Sequence, residues 1–325
     1  MDQVCALVVT RNRKELLLKC LGGLSRMTHP VSHTVIVDSG STDGTEALLR
    51  ERGVLGDPAV TFVRLERNVG SAGSYAAGIE AAREQPADWI WLMDDDAEAR
   101  PDALELLLSA PPAKSPHTAA LASAVIGPDG DVDRLHRGRV RRFLEALPLD
   151  AYQPGIHRDL GFSSYTGLMV RSDVARAIDP PRADFFFWND DVEYSIRLRS
   201  RGRIVLVPES RVLHKHQMGG DADTRRSRFW NRLLGTSYPS APWESYWKNL
   251  SGVRNFFWIK HRYGHVTRLA FAGMVAVYVV RTLMFERRPL RRIPWLVKAA
   301  LAGRRGEPLR LTPERWAEIA GPGRG

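Results

Sequence analysis

Cysteine is scarce in this chain: Cys5 and Cys20 are the only two in 325 residues. Two thiols cannot build a disulfide framework or a cysteine-based zinc site, so a reducing compartment, the cytoplasm, is the expected setting. An export signal is not expected either, because acidic Asp2 stands where a basic n-region would be and the first apolar run ends at Val9. Apolar runs of membrane-spanning length are missing too. Leu269 to Val280 is uncharged, but Arg281 ends it, short of the roughly 20 residues that a span needs. That segment reads as interfacial, with a buried helix packed on the rest of the chain as the alternative. No internal repeat or low-complexity segment is found, although the Gly- and Arg-rich stretch around Arg304 and Arg305 has the composition of a frayed tail.

What is present is a globular composition, 44% hydrophobic and 26% charged, enough apolar content to exclude disorder as the default. The net charge of +10 is unevenly placed: residues 246–325 hold 16 Lys/Arg against 4 Asp/Glu, or +12, which leaves residues 1–245 at −2. This predicts one main domain over 1–245 and a basic, helical region over 246–325. The tail is suited to peripheral contact with an anionic membrane surface. Nucleic acid is not an expected partner, because long apolar stretches interrupt its aromatic and basic residues.

Strand-like and helix-like patterns alternate from the start. Val4–Val9, Val35–Val37, Thr61–Leu65 and Trp89–Met93 read as strands; Lys14–Leu24, Thr45–Arg52 and Ser74–Arg83 read as helices. This rhythm predicts an α/β fold with a mostly parallel sheet, whose carboxyl edge carries the ligand-binding loops. Farther on, a helix from Pro101 to Leu107, a strand over Ala119–Ile126 and a turn at Pro128–Asp131 are expected. Residues 131–154 show no pattern. Leu168–Arg171 reads as a strand, Ser172–Ile178 and Asp191–Arg199 as helices, and Ile204–Val207 as a strand, with another ending at His214.

Polar groups close each early strand. Thr10, Arg11 and Arg13 follow the first, where a base and a diphosphate would sit. Asp38 ends the second with an acceptor free for a ribose or base donor, while Thr42 and Asp43 suit helix capping. Arg67, Asn68 and Gly70 follow the third, but the Lys-Ser/Thr ending of a Walker loop is missing. The sharpest signal is Asp94-Asp95-Asp96 after an apolar strand: three adjacent carboxylates need an offset to their repulsion, and Mg2+ or Mn2+ bridging a diphosphate supplies one. If the strand geometry persists, Asp94 and Asp96 share a face and Asp95 points elsewhere. A second acidic cluster, Asp190, Asp191 and Glu193, follows the aromatic run Phe185–Trp188. Asp191 is a general-base candidate there, and Glu193 pairs with Arg197 one helical turn on. His214 and His216 alternate at a strand end, and either could complete an octahedral ion site.

Taken in order, Val9–Arg13, Asp38–Gly44, Arg67–Gly70, Asp94–Asp96, Asp190–Glu193 and His214 resemble the family 2 glycosyltransferases over about residues 4–260. The resemblance implies a GT-A, Rossmann-like fold, an inverting reaction, a nucleotide-sugar donor and a divalent metal. The triple Asp, Trp188–Glu193, His214 and Tyr246–Asn255 are most like bacterial galactofuranosyltransferases and rhamnosyltransferases of cell-wall assembly. That implies UDP-galactofuranose or dTDP-rhamnose as donor and a glycan or lipid-linked saccharide as acceptor. It also implies a nucleotide-sugar half at about 1–126 and an acceptor half at about 127–245. Asp94, Asp96 and His214 would hold the metal, Asp38 and Asp95 would contact the nucleotide sugar, and Asp191 would be the base. Tyr165, Trp188 and Asp190 fall where such enzymes shape the acceptor pocket. Two other readings stay open: a sugar-phosphate nucleotidyltransferase, and a sugar- or nucleotide-binding module without chemistry.

Overall fold

The alternation read in residues 1–94 folds as parallel strands joined by helices. β1 (Val4–Thr10), β2 (His33–Asp38), β3 (Val60–Arg64) and β4 (Trp89–Asp94) are linked by α1 (Lys14–Leu24), α2 (Thr45–Glu51) and α3 (Gly70–Arg83). They pair in the order β3-β2-β1-β4, all parallel, because a helical crossover returns each strand in the direction of the last. Side chains alternate between two cores. Val4, Ala6, Val8, Trp89, Trp91 and Met93 enter one, and Cys5, Leu7, Ile90 and Leu92 the other, the period of two expected of strands covered on both faces. Both cysteines are buried free thiols, and burial lifts Cys5 to about 12.

The computed structural model describes residues 1–215, 225–234, 240–309 and 311–320. The chain divides into two units: Met1–Ala183 with Asp190–Gln217, and Asp184–Asn189 with Met218–Gly325. In the first, β5 (Ala97–Ala99), β6 (Thr118–Ile126), β7 (Arg137–Val140), β8 (Leu144–Ala146), β9 (Arg158–Asp159), β10 (Phe162–Ser163), β11 (Leu168–Arg171) and β12 (Arg203–His214) join the early strands. The main sheet has nine strands in the order β3-β2-β1-β4-β11-β6-β12-β5, with β9 on β12. β11 is antiparallel to β4 and β6, while β12 is parallel to β6. β1, β2, β3, β4, β6 and β12 therefore point one way, the mostly parallel sheet expected. The patternless stretch supplies β7 and β8 of a second, antiparallel sheet, β10-β7-β8; its strands of two to four residues are too short to display a period. The two strands expected near 204 and 212 are one, β12, with a register shift between Val207 and Arg211 where Pro208 lacks an N–H to give.

α4 (Ala103–Ser109), α5 (Ser172–Arg176) and α6 (Asp190–Arg199) complete the first unit. The second holds α7 (Arg225–Leu234), α8 (Tyr246–Tyr263), α9 (Arg268–Phe285), α10 (Pro289–Arg305) and α11 (Pro313–Ala320). Arg304 and Arg305 are not a frayed tail: they form the last turn of α10, closed by left-handed Gly306, where cations complement the helix dipole. The expectation that Arg281 leaves the apolar run short of spanning length is corrected here: α9 continues through Arg281 to Phe285 and is the one helix among the described residues long and apolar enough, by length and composition, to cross a membrane. Its 18 residues rise about 27 Å at 1.5 Å each, and only Met274, Thr282 and Phe285 on it are buried.

At the sheet's carboxyl edge, Gly40 in the β2–α2 loop sits against the β3–α3 loop. Its φ is +68°, and a Cβ there would lie 2.8 Å from the Arg67 carbonyl carbon. Gly40→Ala is therefore expected to cost about 1–2 kcal/mol for the left-handed backbone alone, and more for the clash. A lowered melting temperature in calorimetry checks this; an unchanged one contradicts the close approach.

Candidate functional site

The carboxylate run lies at a turn, not along a strand. β4 stops at Asp94, Asp95 and Asp96 form the turn, and β5 runs back antiparallel to β12 with Ala97 opposite His214. Lys215 N–H donates to the Asp96 carbonyl at 3.0 Å. The expected strand alternation is thus corrected: Asp94 and Asp96 converge because the chain reverses, and the β5–β12 pairing brings in His214. One ligand atom from each of Asp94, Asp96 and His214 lies within 4.8 Å of the others. Asp96 Oδ1 is buried, makes no hydrogen bond, and stands 3.2 Å from His214 Nε2. Two carboxylates and an imidazole around an unsatisfied buried oxygen fit a divalent cation.

Each acid has its own compensation. The Tyr75 hydroxyl lies 2.8 Å from Asp94 Oδ1, and the Thr166 hydroxyl donates to Asp94 Oδ2. Asp95 does not point away from the cluster's partners: it accepts from the Thr10 hydroxyl at 2.8 Å and from Arg13 Nη1 at 3.3 Å. The same Arg13 nitrogen reaches Asp96 Oδ2 at 2.6 Å. Burial pushes Asp95 up to about 6, against the pull of Arg13 and Thr10. Burial also raises Asp96, but His214 and Arg13 outweigh it and hold that carboxyl below its usual range. His214 shows the reverse, lowered by burial yet held above the ordinary imidazole value by Asp96 and Asp94. A cation taking the proton's place at His214 would answer the same carboxylates.

The early strand ends share this edge, since Thr10 pairs with Asp38 and Val9 with Asp94 in register. Asp38, however, is fully buried, with Oδ1 accepting from Ser41 N–H at 2.9 Å and Oδ2 from Arg64 at 2.8 Å. The acceptor expected to be free for a nucleotide is engaged inside the protein, ordering the β2–α2 loop. Neither Thr42 nor Asp43 is the N-cap of α2, a position held by left-handed Gly44; Asp43 stands one residue before it and accepts from Thr45 N–H at 3.1 Å and Lys14 N–H at 3.2 Å. Arg11 and Arg67 are exposed. Asn68 Oδ1 accepts from the N–H of Gly70, which opens α3 at a φ of +76°.

Asp190 and Asp191 open α6. Asp191 Oδ1 accepts its neighbour Val192 N–H at 2.7 Å; burial pushes its carboxyl up to about 6, and the charge of Asp94 adds to the rise. Asp190 Oδ2 is buried without a hydrogen bond, and burial with the Asp191 charge raises that group well above the carboxylate range. Tyr165 stacks on Tyr75 at 3.9 Å between centroids, its buried hydroxyl also unbonded. Glu193 pairs with Arg197 at 2.7 Å, as expected. Trp188 belongs to the second unit. Phe186, Trp188 and Asn189 all have left-handed φ, a cost of about 1–3 kcal/mol each that surroundings must fix in place. The Asn255 amide does so, donating to the Phe185, Phe187 and Trp188 carbonyls at 2.9, 3.1 and 2.7 Å. His216 lies outside the described residues.

Sequence reasoning missed Arg137, at the start of β7. Fully buried, it donates to the carbonyls of Ser123, His136 and Thr166 at 3.0, 2.9 and 2.6 Å, so it fixes the segment whose Thr166 hydroxyl holds Asp94. Burial lowers it only to about 10, so it stays charged at neutral pH. Its patternless surroundings offered no signal.

Residues 5–178 match the model of glycosyl transferase family 2. The chain belongs to this family. Galactofuranosyltransferase GlfT1 of Mycobacterium tuberculosis (strain H37Rv) is 36% identical over 211 residues, 62% of this chain and 66% of that protein. The chain thus spans about two thirds of that relative's length. The N-acetylglucosaminyl-diphospho-decaprenol L-rhamnosyltransferase of the same strain is 25% identical over 248 residues, covering 68% of this chain and 79% of that one. Among solved structures, GalNAc-T7 with UDP, GalNAc and Mn2+ superposes with a TM-score of 0.59 at 14% identity, over 80% of this chain and 48% of that chain. This likeness shows the GT-A-like fold. As a family 2 glycosyltransferase, the protein does not keep the nucleotidyltransferase reading.

Thr166→Val should keep the side-chain volume and remove the hydroxyl that orients Asp94. Loss of such an orienting partner typically weakens a metal site about 10- to 100-fold, so calorimetric titration with Mn2+ should show at least a tenfold loss. Unchanged affinity would separate Thr166 from the cation site.

Proposed function

We propose that this glycosyltransferase inverts: it transfers a sugar from UDP-galactofuranose or dTDP-rhamnose to a hydroxyl of a glycan or lipid-linked saccharide, aided by Mn2+ or Mg2+. The observation that carries the reading is the meeting of Asp94, Asp96 and His214 at the sheet's carboxyl edge, with Asp191 close enough to feel the charge of Asp94. The sugar and nucleotide assignments are supported by what the relatives are named for, galactofuranosyl and rhamnosyl transfer, and by the UDP and Mn2+ of the structural neighbour.

A divalent cation held by Asp94, Asp96 and His214 would supply positive charge to the departing nucleoside diphosphate. Thr10, Arg11, Arg13, Arg67, Asn68, Gly70 and Asp95 line the donor side, where the arginines offset phosphate charge. Asp38 acts one step back by ordering the Ser41 loop. Tyr165 and Asp190 belong to the acceptor side. Asp191 accepts the proton of the attacking hydroxyl as its oxygen bonds to the anomeric carbon and the carbon–phosphate oxygen bond breaks, in one displacement that inverts the centre.

Asp191→Asn is expected to lower turnover about 10²- to 10⁴-fold while binding of the nucleotide sugar stays within a few fold. The base works deprotonated, and its carboxyl sits near 6, so turnover should be full above pH 7 and fall as pH drops through about 6. A normal turnover in the variant, or no acid limb, would remove Asp191 from this role. Screening nucleotide sugars for Mn2+- or Mg2+-dependent release of nucleoside diphosphate tests the whole reading, and no release from any of them would overturn it.

The second unit supports peripheral contact with an anionic membrane, at the inner face if the protein is cytoplasmic. Leu269, Val277 and Val280 on α9 are exposed, in a region of net charge +12 from residue 246 on, and Phe229 and Leu233 on α7 before it are exposed as well. Replacing Leu269, Val277 and Val280 by Ser should reduce co-sedimentation with anionic vesicles about tenfold or more. Retained binding would place the contact elsewhere.

A further inference from the structure

A second group of ligand-type side chains meets at His214. Asp133, His136 and His214 each place one ligand atom within 4.8 Å of the others. The first two come from the tight turn before β7, where Asp133 Oδ1 accepts from Leu135 N–H at 3.0 Å and Oδ2 stands 3.4 Å from His136 Nε2. His136 Nδ1 is engaged at 2.7 Å by the Ser164 hydroxyl. One ring nitrogen is thus tied to a fixed partner and the other faces the cluster, the arrangement by which a protein orients a metal-binding imidazole. The His214 ring meets the His136 ring edge-on at 5.0 Å. The side chains keep 21%, 14% and 12% of their surface exposed, in chain order, so the cluster is sheltered yet open to ions from solvent.

The two groups around His214 differ in chemistry. Two carboxylates and one imidazole suit a hard cation that bridges phosphates, whereas two imidazoles and one carboxylate suit Zn2+ with a fourth position open. We propose that Asp133, His136 and His214 form a second cation site that prefers Zn2+ and, by drawing on His214, opposes occupancy of the site with Asp94 and Asp96. The antagonism rests on the reading of that site as the enzyme's own cation site. Two dications sharing one imidazole also repel each other in a sheltered environment, so filling one site disfavours the other.

Calorimetric titration of the full chain with Zn2+ alone and with Mn2+ alone tests this. Wild type should bind Zn2+, and Asp94→Asn should keep that binding while losing Mn2+. His136→Gln and Asp133→Asn should weaken Zn2+ at least tenfold, leave Mn2+ binding and Mn2+-dependent turnover within twofold of wild type, and relieve inhibition by added Zn2+. Zn2+ affinity unchanged in both variants, or lost together with Mn2+ in Asp94→Asn, overturns the second site and leaves the catalytic reading standing. Mn2+ binding that survives Asp94→Asn and Asp96→Asn overturns the catalytic assignment, and the antagonism with it. If His136→Gln and Asp133→Asn fail to fold, by circular dichroism, Zn2+ binding in the Asp94→Asn protein decides.

Discussion

Three adjacent carboxylates at the end of a buried strand are the constraint on which the first unit is built. Unit charges about 4 Å apart near a protein surface repel by about 4 kcal/mol, and Asp95 and Asp96 are almost wholly buried. The turn stands because each acid has a different partner: Tyr75 of α3 and Thr166 for Asp94, Thr10 of β1 for Asp95, Arg13 shared by Asp95 and Asp96, and His214 of β12 for Asp96. These groups come from segments far apart in the chain, so the site is a property of the sheet order. Even so Asp96 Oδ1 has only the His214 ring nitrogen beside it, at 3.2 Å and without an aligned hydrogen bond, and a divalent cation would complete that compensation.

The second acid pair is handled differently. Asp190 and Asp191 lie at the positive end of α6, and burial drives both toward the neutral form. Arg137 is the buried cation whose field works against this for Asp191. It touches no carboxylate in its hydrogen bonds and is held by main-chain carbonyls instead. A cation so placed acts through space on Asp191 while fixing Thr166, and through it Asp94. One residue therefore connects the electrostatics of the proposed base with the geometry of the proposed cation site.

In the second unit the strained aromatic loop depends on α8. Left-handed backbone at Phe186, Trp188 and Asn189 would relax if free, and the Asn255 amide and the Asn189–Gly252 hydrogen bond of 2.8 Å prevent it. Trp188 lies against Gly252, where any Cβ would meet its ring at 2.8 Å. The smallest residue on α8 is thus what admits the largest side chain of the loop.

Local pattern determined much of this in advance. The apolar runs of β1, β2 and β4, the limits of α1, the Glu193–Arg197 pair and the carboxylate cluster after Trp89–Met93 were legible because each rests on residues within a few positions of one another. The family motifs pointed to Asp94, Asp96 and His214, whose ligand atoms the fold brings within 4.8 Å of one another. Tertiary structure alone decided the rest: that Asp94 and Asp96 meet through a chain reversal, that Asp38 is engaged by Arg64, that Arg137 is buried beneath the site, and that His214 stands between two ligand groups. Those outcomes depend on strand order and register between segments tens of residues apart, and hydrophobic periodicity carries no record of which strand a given strand will pair with.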